Sequence, residues 1–201
     1  QEDIMVTTDE IKTLREKTGV SVMQCKKALE EAKGDIEKAM AILQKKGGEI
    51  ANKKAERTLG AGVVAAYIHS NGSVGAMVEL ACETDFVAKN EEFKQTAYDI
   101  AMHIAGMYPM YVSDADITDE ERAKATELFE KEVADSDKPD DIKKKMLEGK
   151  LAQYFGERVL LDQKYIKDPE LSIKDLLSSA TQKFGERTEV IRFKRFAVGA
   201  E

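Results

Sequence analysis

The sequence contains no tryptophan and only two cysteines, two histidines and three prolines among its 201 residues. Cys25 and Cys82 lie far apart and lack Cys-x-x-Cys spacing, which argues against both a disulfide framework and a zinc site. Each lies on an apolar face, so we expect buried structural thiols. We expect His69 and His103 to occupy surface positions or hydrogen-bonded core positions. The sequence therefore predicts no bound metal.

Long apolar runs are also absent. None is long enough to span a bilayer, and none near the N-terminus resembles a signal peptide. We therefore expect a protein of the reducing cytoplasm that has no membrane partner.

Excess positive charge is missing as well. The net charge is −7 and the sequence pI is about 5.1, which argues against direct nucleic-acid binding because that needs a basic surface. Residues 1–58 contain 12 basic and 11 acidic residues, and the remainder contains 19 and 27. The first part is thus nearly neutral and the rest is acidic. The charged fraction of 34% and hydrophobic fraction of 42% are typical of a soluble globular protein.

Catalytic motifs are absent from the sequence. It has neither a Gly-x-Ser-x-Gly elbow nor a His-Glu-x-x-His helix. Its one Gly-Lys pair, Gly149-Lys150, is not a P-loop, because Lys144 stands where the first glycine is required and no Ser or Thr follows the lysine. We therefore predict no catalytic residue and no cofactor, and favour a protein that acts by contact.

The first fifty residues contain three short amphipathic patterns. Possible N-terminal capping residues are Thr7, Ser21 and Asp35, and Gly47-Gly48 is predicted to end the third helix. Each helix has one narrow apolar face, so the three faces must be buried against one another. We predict a three-helix bundle plus linker over residues 1–55.

Residues 56–201 are predicted to form an α+β domain. Alternating apolar residues over 74–82 indicate a half-buried strand, and Asn71-Gly72 before it indicates a hairpin. The β-rich tail from Thr188 to Gly199 is predicted to pair antiparallel with this hairpin. The result is a sheet of about three antiparallel strands, with helices covering one face.

Four helices are predicted in this second domain. The first follows Asn90 and runs to about Met107, the second opens at Thr118, the third follows Pro139 and the last follows Ser172. The third has a predicted buried stripe, which consists of Ile142, Met146, Leu147, Leu151, Tyr154 and Phe155.

Two segments are candidates for contact with a partner. Thr84-Asp85-Phe86-Val87 is a turn with a large aromatic, which either packs back onto the following helix or is presented to a partner. Taken alone, the turn is better explained by the first alternative, with a threonine cap and a phenylalanine staple. The other segment is the corner from Leu14 to Gly19, with Val22 and Met23 beyond it. Helical periodicity cannot bury both of these apolar residues, although ordinary packing could explain the corner.

Three stretches together resemble the bacterial elongation factor Ts family. LREKTGVSVMQCKKALEEAKGDIEKAMAILQKKG resembles the family's N-terminal module, ELACETDFVAKNEEF its core signature and IRFKRFAVG its closing strand. The resemblance covers essentially the whole chain. It implies a guanine-nucleotide exchange factor for elongation factor Tu, acting in translation elongation by protein contact and not as an enzyme.

The resemblance also assigns the two contact segments. It implies that the N-terminal bundle is similar to ubiquitin-associated domains and binds the partner's nucleotide-binding domain, and that the turn Thr84, Asp85, Phe86 and Val87 dislodges magnesium from the partner's nucleotide site. The bundle residues that match the family's contact surface are Leu14, Arg15, Val22, Met23, Cys25 and Lys26. The chain resembles the short form of the family, whose members can form homodimers that bind two partner molecules.

Two other functions remain as alternatives. A protein-binding adaptor could use the three-helix bundle alone, but it would have no use for the Thr84–Val87 turn. A small-molecule enzyme would need clustered histidines, cysteines or paired carboxylates, which the sequence does not provide.

Overall fold

The structure is a computed structural model that describes residues 6–199; the chain ends at residues 1–5 and 200–201, included in the two predicted domains, lie outside the described residues. Within the described range, no helix has the length and apolar character needed to cross a membrane. The helices and strands follow in the order α1 (Thr8–Thr18), α2 (Val22–Glu31), α3 (Ile36–Lys54), β1 (Ala61–Ile68), β2 (Val74–Cys82), α4 (Asp85–Ala88), α5 (Glu91–Met107), α6 (Asp119–Ala134), α7 (Asp140–Gly156), β3 (Lys164–Tyr165), β4 (Asp168–Ser172), α8 (Ile173–Phe184) and β5 (Glu189–Ala197).

Helices α1, α2 and α3 form the predicted bundle. The capping box at α1 is present, because Thr7 Oγ1 accepts from the Glu10 N–H while Glu10 Oε2 accepts from the Thr7 N–H. Ser21 caps α2 through one bond only, from the Gln24 N–H. The apolar faces meet in a small core of Leu14, Val20, Cys25, Ala28, Leu29, Ala32, Ala39 and Leu43.

The predicted end of the third helix at Gly47-Gly48 is wrong, because α3 continues to Lys54. A Cβ atom added at Gly47 would lie 3.1 Å from Gln182 Oε1 and 3.3 Å from the Ser178 carbonyl oxygen, both on α8. A Cβ at Gly48 would meet no atom within 4 Å. Gly47 therefore serves close packing of α3 against α8, and a helix tolerates it at modest cost.

The main sheet has three antiparallel strands, as predicted, and their order is β1-β2-β5. The Asn71-Gly72 hairpin is present, with Gly72 at φ +68°. In the register, Val63 lies opposite Leu80 in the first pair, and Val78 lies opposite Phe193 in the second. The alternating pattern thus gives the sheet one buried face and one open face.

Helix α5 covers the buried face, and α8 packs beside it in the same core. Phe93 of α5 is fully buried and its ring meets that of Phe184 of α8 edge to face, with the centroids 5.6 Å apart. Ile100 and Ile104 of α5 and Ile173 of α8 belong to the same core. The predicted α+β architecture, a helical bundle followed by a helix-covered antiparallel sheet, is therefore confirmed.

Helices α6 and α7 pack on each other around a separate small cluster of Ile117, Ala125, Phe155 and Val159. Of the predicted buried stripe of α7, Phe155 is buried and Ile142 is exposed, and the half-buried members are Met146, Leu147, Leu151 and Tyr154. The helix that packs against this face is α6, and it leaves the N-terminal end of the stripe, at Ile142, in solvent. The short β3–β4 pair was not predicted, and it has only two paired positions, Lys164 with Ser172 and Tyr165 with Asp168.

Candidate functional site

The turn after β2 is a four-residue helix, α4, that presents Phe86 to solvent. Thr84 is its N-cap, and Val87 and Ala88 point into the main core. Phe86 is 82% exposed, although its neighbour Val87 is buried. The alternative in which Phe86 packs back onto the following helix is therefore wrong. The turn combines a buried anchor with an exposed aromatic side chain.

Asp85 stands beside Phe86 on the exposed side of this turn. Its carboxylate accepts a hydrogen bond from Lys89 Nζ at 2.5 Å, and both side chains are largely exposed. This bond and the positive charge of Lys89 lower the pKa of Asp85. The tip of the turn thus carries an ionised carboxylate next to an aromatic ring at neutral pH.

The turn has an anchor that the sequence does not reveal, the Glu186 carboxylate. It accepts hydrogen bonds from the Thr84 N–H at 3.0 Å and the Thr84 hydroxyl at 2.6 Å. Glu186 lies between α8 and β5, 102 residues further along the chain. Neither motif nor periodicity identifies such a contact, because only the folded sheet brings the two segments together.

The corner between α1 and α2 presents a second surface, which we call the corner surface: Arg15, Val22, Met23 and Lys26. All four side chains are exposed, with Val22 at 50% and Met23 at 68%. Helical periodicity cannot bury both Val22 and Met23, and the structure leaves both of them exposed to solvent.

Two of the predicted contact residues in the bundle, Leu14 and Cys25, are fully buried. Their assignment to the surface itself needs correction, because neither side chain reaches solvent. Cys25 Sγ donates to the Val20 carbonyl oxygen at 3.6 Å, and burial raises the pKa of the thiol. Both residues belong to the bundle core that supports the corner surface.

The C-terminal end of α8 lies between the corner and the turn. Lys183 Nζ donates to Glu92 Oε1 at 2.8 Å, just beyond α4. The same nitrogen lies 3.0 Å from where a Cβ at Gly19 would be, in the corner itself. The two predicted contact segments therefore both lie next to the C-terminal end of α8.

The chemistry available at this site is that of contact. Among the residues described, no group of three or more His, Cys, Asp or Glu side chains could hold a metal ion. Both cysteines are buried thiols, as expected. His103 is also buried, with Nε2 bonded to Gln163 Oε1 at 2.9 Å and Nδ1 accepting from the Ile166 N–H. What the site offers a partner is an aromatic ring, a carboxylate and an apolar pair flanked by cations.

Comparison with known proteins identifies the family of this chain. The family model described as elongation factor TS matches residues 4–200. The chain is 48% identical over 195 residues to elongation factor Ts of Carboxydothermus hydrogenoformans, covering 97% of this chain and 90% of that protein. It is 45% identical to elongation factor Ts of Thermosipho melanesiensis, covering 97% of this chain and all of that protein. The chain therefore belongs to the elongation factor Ts family.

Proposed function

We propose that this chain is a guanine-nucleotide exchange factor for elongation factor Tu, which promotes GDP release by displacing Mg²⁺ and phosphate contacts during translation elongation. The observation that carries this proposal is Phe86, an aromatic side chain 82% exposed on a turn with a buried anchor. Exposing so large an apolar group is unfavourable in the free protein, so a partner that covers it gains binding energy. Membership of the elongation factor Ts family supports the same function.

The energetics require more than one contact. GDP is bound through its phosphates and Mg²⁺, and by linkage an exchange factor weakens nucleotide binding by the factor by which nucleotide weakens its own. A ten-thousandfold effect corresponds to about 5.5 kcal/mol of differential binding. Burying one aromatic side chain supplies about 1.5–3 kcal/mol. Loss of metal coordination and a second binding surface must supply the rest.

The two surfaces then have different roles. Phe86 inserts between elements of the partner near the nucleotide, and the ionised Asp85 disturbs the contacts of the metal and phosphates. Thr84 positions the turn as its N-cap, and Val87 positions it by packing into the core. Binding of the partner's nucleotide-binding domain falls to the corner surface, with Met23 and Val22 as apolar anchors flanked by Arg15 and Lys26.

An adaptor that uses only the bundle is the second candidate, and the exposure of Phe86 disfavours it. The proposed exchange factor is not an enzyme in the sense of making or breaking bonds, because contact with the partner is sufficient for its action. The net charge of −7 supports a protein partner over nucleic acid, and no membrane is involved in the proposed role. A function in translation places it in the cytoplasm with that partner.

The experiment follows release of fluorescent GDP from elongation factor Tu in a stopped-flow instrument. Substoichiometric amounts of the natural chain should accelerate release, because each molecule acts repeatedly. Phe86→Ala should lower the maximal release rate by about tenfold or more, given the apolar area lost. Leu128→Ala on α6 is the matched control, since this side chain is also exposed, at 53%. Unchanged release with the natural chain would refute the proposed function.

We also infer that two copies of the chain pair through the open face of the sheet, giving a complex of two factors with two partner molecules. This face carries exposed apolar residues at one end, where Gly75 leaves a cleft of about 350 Å³ between Ile68 and Phe196. The residues on this face with large exposed apolar side chains are Val64, Ile68, Met77, Phe196 and the adjoining Val198. A twofold axis places the same patch on both subunits, so an apolar patch is covered by its own copy.

Light scattering tests this pairing. The natural chain should have twice the mass of the 22.4 kDa monomer, and Phe196→Asp should shift it to the monomer because a carboxylate would be buried without a partner. Leu128→Asp should leave the mass unchanged. A monomeric natural chain, or a Phe196→Asp variant that stays dimeric, would refute this pairing.

A further inference from the structure

Glu186 makes three hydrogen bonds to the segment that presents Phe86. Its Oε2 accepts from the backbone N–H groups of Glu83 at 3.1 Å and Thr84 at 3.0 Å, and its Oε1 accepts from the Thr84 hydroxyl at 2.6 Å. One carboxylate therefore binds three successive donors where β2 ends and α4 begins. Bonds of this kind, with an ionised acceptor, are among the stronger ones in proteins.

The bond from Thr84 also determines how its hydroxyl acts as the helix cap. A hydroxyl has one hydrogen to donate and two lone pairs to accept with. Because the hydrogen goes to Glu186, the oxygen faces the Val87 N–H as an acceptor, at 3.5 Å. The Glu186 carboxylate thus orients the group that caps the helix carrying Phe86.

Helix α4 needs such support because it has only four residues. Isolated helices of fewer than about 12 residues are marginal in water. Burial of Val87 and Ala88 fixes one side of the turn, but it does not fix the direction in which the exposed Phe86 points. The bonds from Glu186 act at the other side, on the residues that lead into the helix.

Glu186 is itself placed by rigid neighbours. Gly185, at φ +72°, ends α8, and its carbonyl oxygen accepts from Lys54 Nζ of α3 at 2.6 Å. On the other side the Arg187 N–H donates to Glu83 Oε1 at 2.7 Å. The junction between α8 and β5 is therefore tied to both the bundle and the end of β2.

We propose that Glu186 is a positioning residue for nucleotide exchange: it fixes the Thr84–Val87 turn so that Phe86 and Asp85 are presented in the orientation that acts on the partner. This inference rests on the proposed exchange function and assigns a role in it to a residue outside the contact surface. Its effect is on population. When only a fraction of the bound molecules has the competent turn, the maximal rate falls to that fraction of its natural value.

The test compares Glu186→Ala and Glu186→Gln in the stopped-flow assay of GDP release, over a range of factor concentrations. Glu186→Ala should lower the maximal release rate by about tenfold, because three hydrogen bonds to a charged acceptor are lost. The concentration giving half the maximal rate should change less than twofold, since the corner surface is intact. Glu186→Gln should recover most of the rate, because its carbonyl oxygen still accepts from backbone N–H groups.

Glu189→Ala is the matched control. This carboxylate lies three residues further along and bonds to the Arg187 guanidinium instead of the turn, so its removal should leave the maximal rate within twofold. Thermal unfolding of every variant is measured beside the rates. If Glu186→Ala unfolds, Glu186→Asp keeps the test decisive: its shorter carboxylate cannot reach all three donors at once, so a folded Glu186→Asp variant should have a lowered maximal rate, and the natural maximal rate in that variant would overturn the positioning role.

A double-mutant cycle with Phe86→Ala separates positioning from general damage. If Glu186 acts by positioning the turn, Glu186→Ala should cause a smaller further loss in the Phe86→Ala background than in the natural chain, because only the contribution of Asp85 then remains to be lost. Equal additional loss in both backgrounds, or a Glu186→Ala variant with the natural maximal rate, would overturn the positioning role. If Phe86→Ala itself exchanged GDP at the natural rate, the proposed mechanism would fail first, and the two failures are thus distinguishable.

Discussion

The corner surface and the Thr84–Val87 turn are built in different ways, although both present apolar side chains. In the corner, local residues do the shaping: Gly19 ends α1 at φ +66° and Ser21 caps α2. In the turn, the decisive bonds come from Glu186, 102 residues away from Thr84. The first surface is a property of the bundle, whereas the second depends on the complete α+β core.

This difference suggests a division of labour. A surface on a locally encoded bundle suits tight binding, because its shape does not depend on the rest of the chain. A turn held by hydrogen bonds to a distant residue is rigid because the whole core supports it. Such rigidity suits an element that must displace contacts within a partner. Changes in the corner should therefore alter affinity, and changes around the turn should alter the maximal rate.

The largest expected effect that separates the two regions is that of Met23→Ala. Met23 is 68% exposed in the free chain, so truncation should not disturb folding. Loss of its burial against the partner should raise the half-saturating concentration in GDP release by roughly 10- to 100-fold, from about 1.5–3 kcal/mol of apolar contact. The maximal rate should stay within twofold.

Met110→Ala is the control, since Met110 is also an exposed methionine, at 52%, but lies outside the corner. It should leave both parameters near their natural values. A Met23→Ala variant that lowered the maximal rate with unchanged half-saturation would contradict the assignment of affinity to the corner surface.

The features that the sequence predicts correctly are mainly those with local causes, and the features that it misses depend on tertiary structure. The bundle, the hairpin, the three antiparallel strands and the caps at Thr7, Thr118 and Ser172 are encoded by residues within a few positions of each other. The turn at Thr84 is locally recognisable as a capped helix start, but local patterns favoured a packed Phe86. Whether an aromatic is covered depends on which elements pass over it, and that is set by tertiary structure.

The errors have a common physical origin. Gly47 has the local features of a helix end but allows α3 to approach α8, a contact between segments more than 130 residues apart. The stripe of α7 has helical spacing, yet a single partner helix leaves Ile142 in solvent. Glu186 has no motif at all. For Gly47 and Glu186 the deciding atoms belong to elements far away in the sequence, and for α7 the burial depends on how many helices pack on it.

A smaller effect distinguishes the two regions by pH. His103 lies in the α+β core, and the bundle contains neither of the two histidines. Burial lowers the pKa of His103, against a smaller opposing effect of its hydrogen bond to Gln163. Protonation would also place a hydrogen on Nδ1, which accepts from the Ile166 N–H.

The unfolded state therefore binds more protons than the folded state just below pH 6.5, the usual value for histidine, so stability should fall as the pH drops below about 6.5 and level off below the folded pKa. Each unit of pKa difference contributes about 1.4 kcal/mol. Urea unfolding from pH 7.5 to 5.5 should show this slope, and His103→Gln should reduce it. Equal slopes in the natural chain and the His103→Gln variant would remove His103 from the acid response.

The smallest expected effect concerns how the bundle that carries the corner is attached to the core that carries the turn. Gly47 and Gly48 are adjacent in α3, and glycine is a weaker helix former than alanine. Gly48→Ala should raise the free energy of unfolding by about 0.5–1 kcal/mol, because its Cβ meets no atom within 4 Å and alanine favours the helix.

Gly47→Ala should lack that gain or destabilise the chain, since its Cβ would lie 3.3 Å from the Ser178 carbonyl oxygen. Urea unfolding of the two variants measures the difference directly, with the helix propensity term cancelling between them.

Pushing α3 away from α8 also moves the bundle relative to Lys183 and hence to Glu92 beyond the turn. Gly47→Ala should therefore change half-saturation in GDP release slightly and Gly48→Ala should not. Equal stabilisation by both substitutions would mean that α3 and α8 can separate freely, and that the corner and the turn do not share one frame.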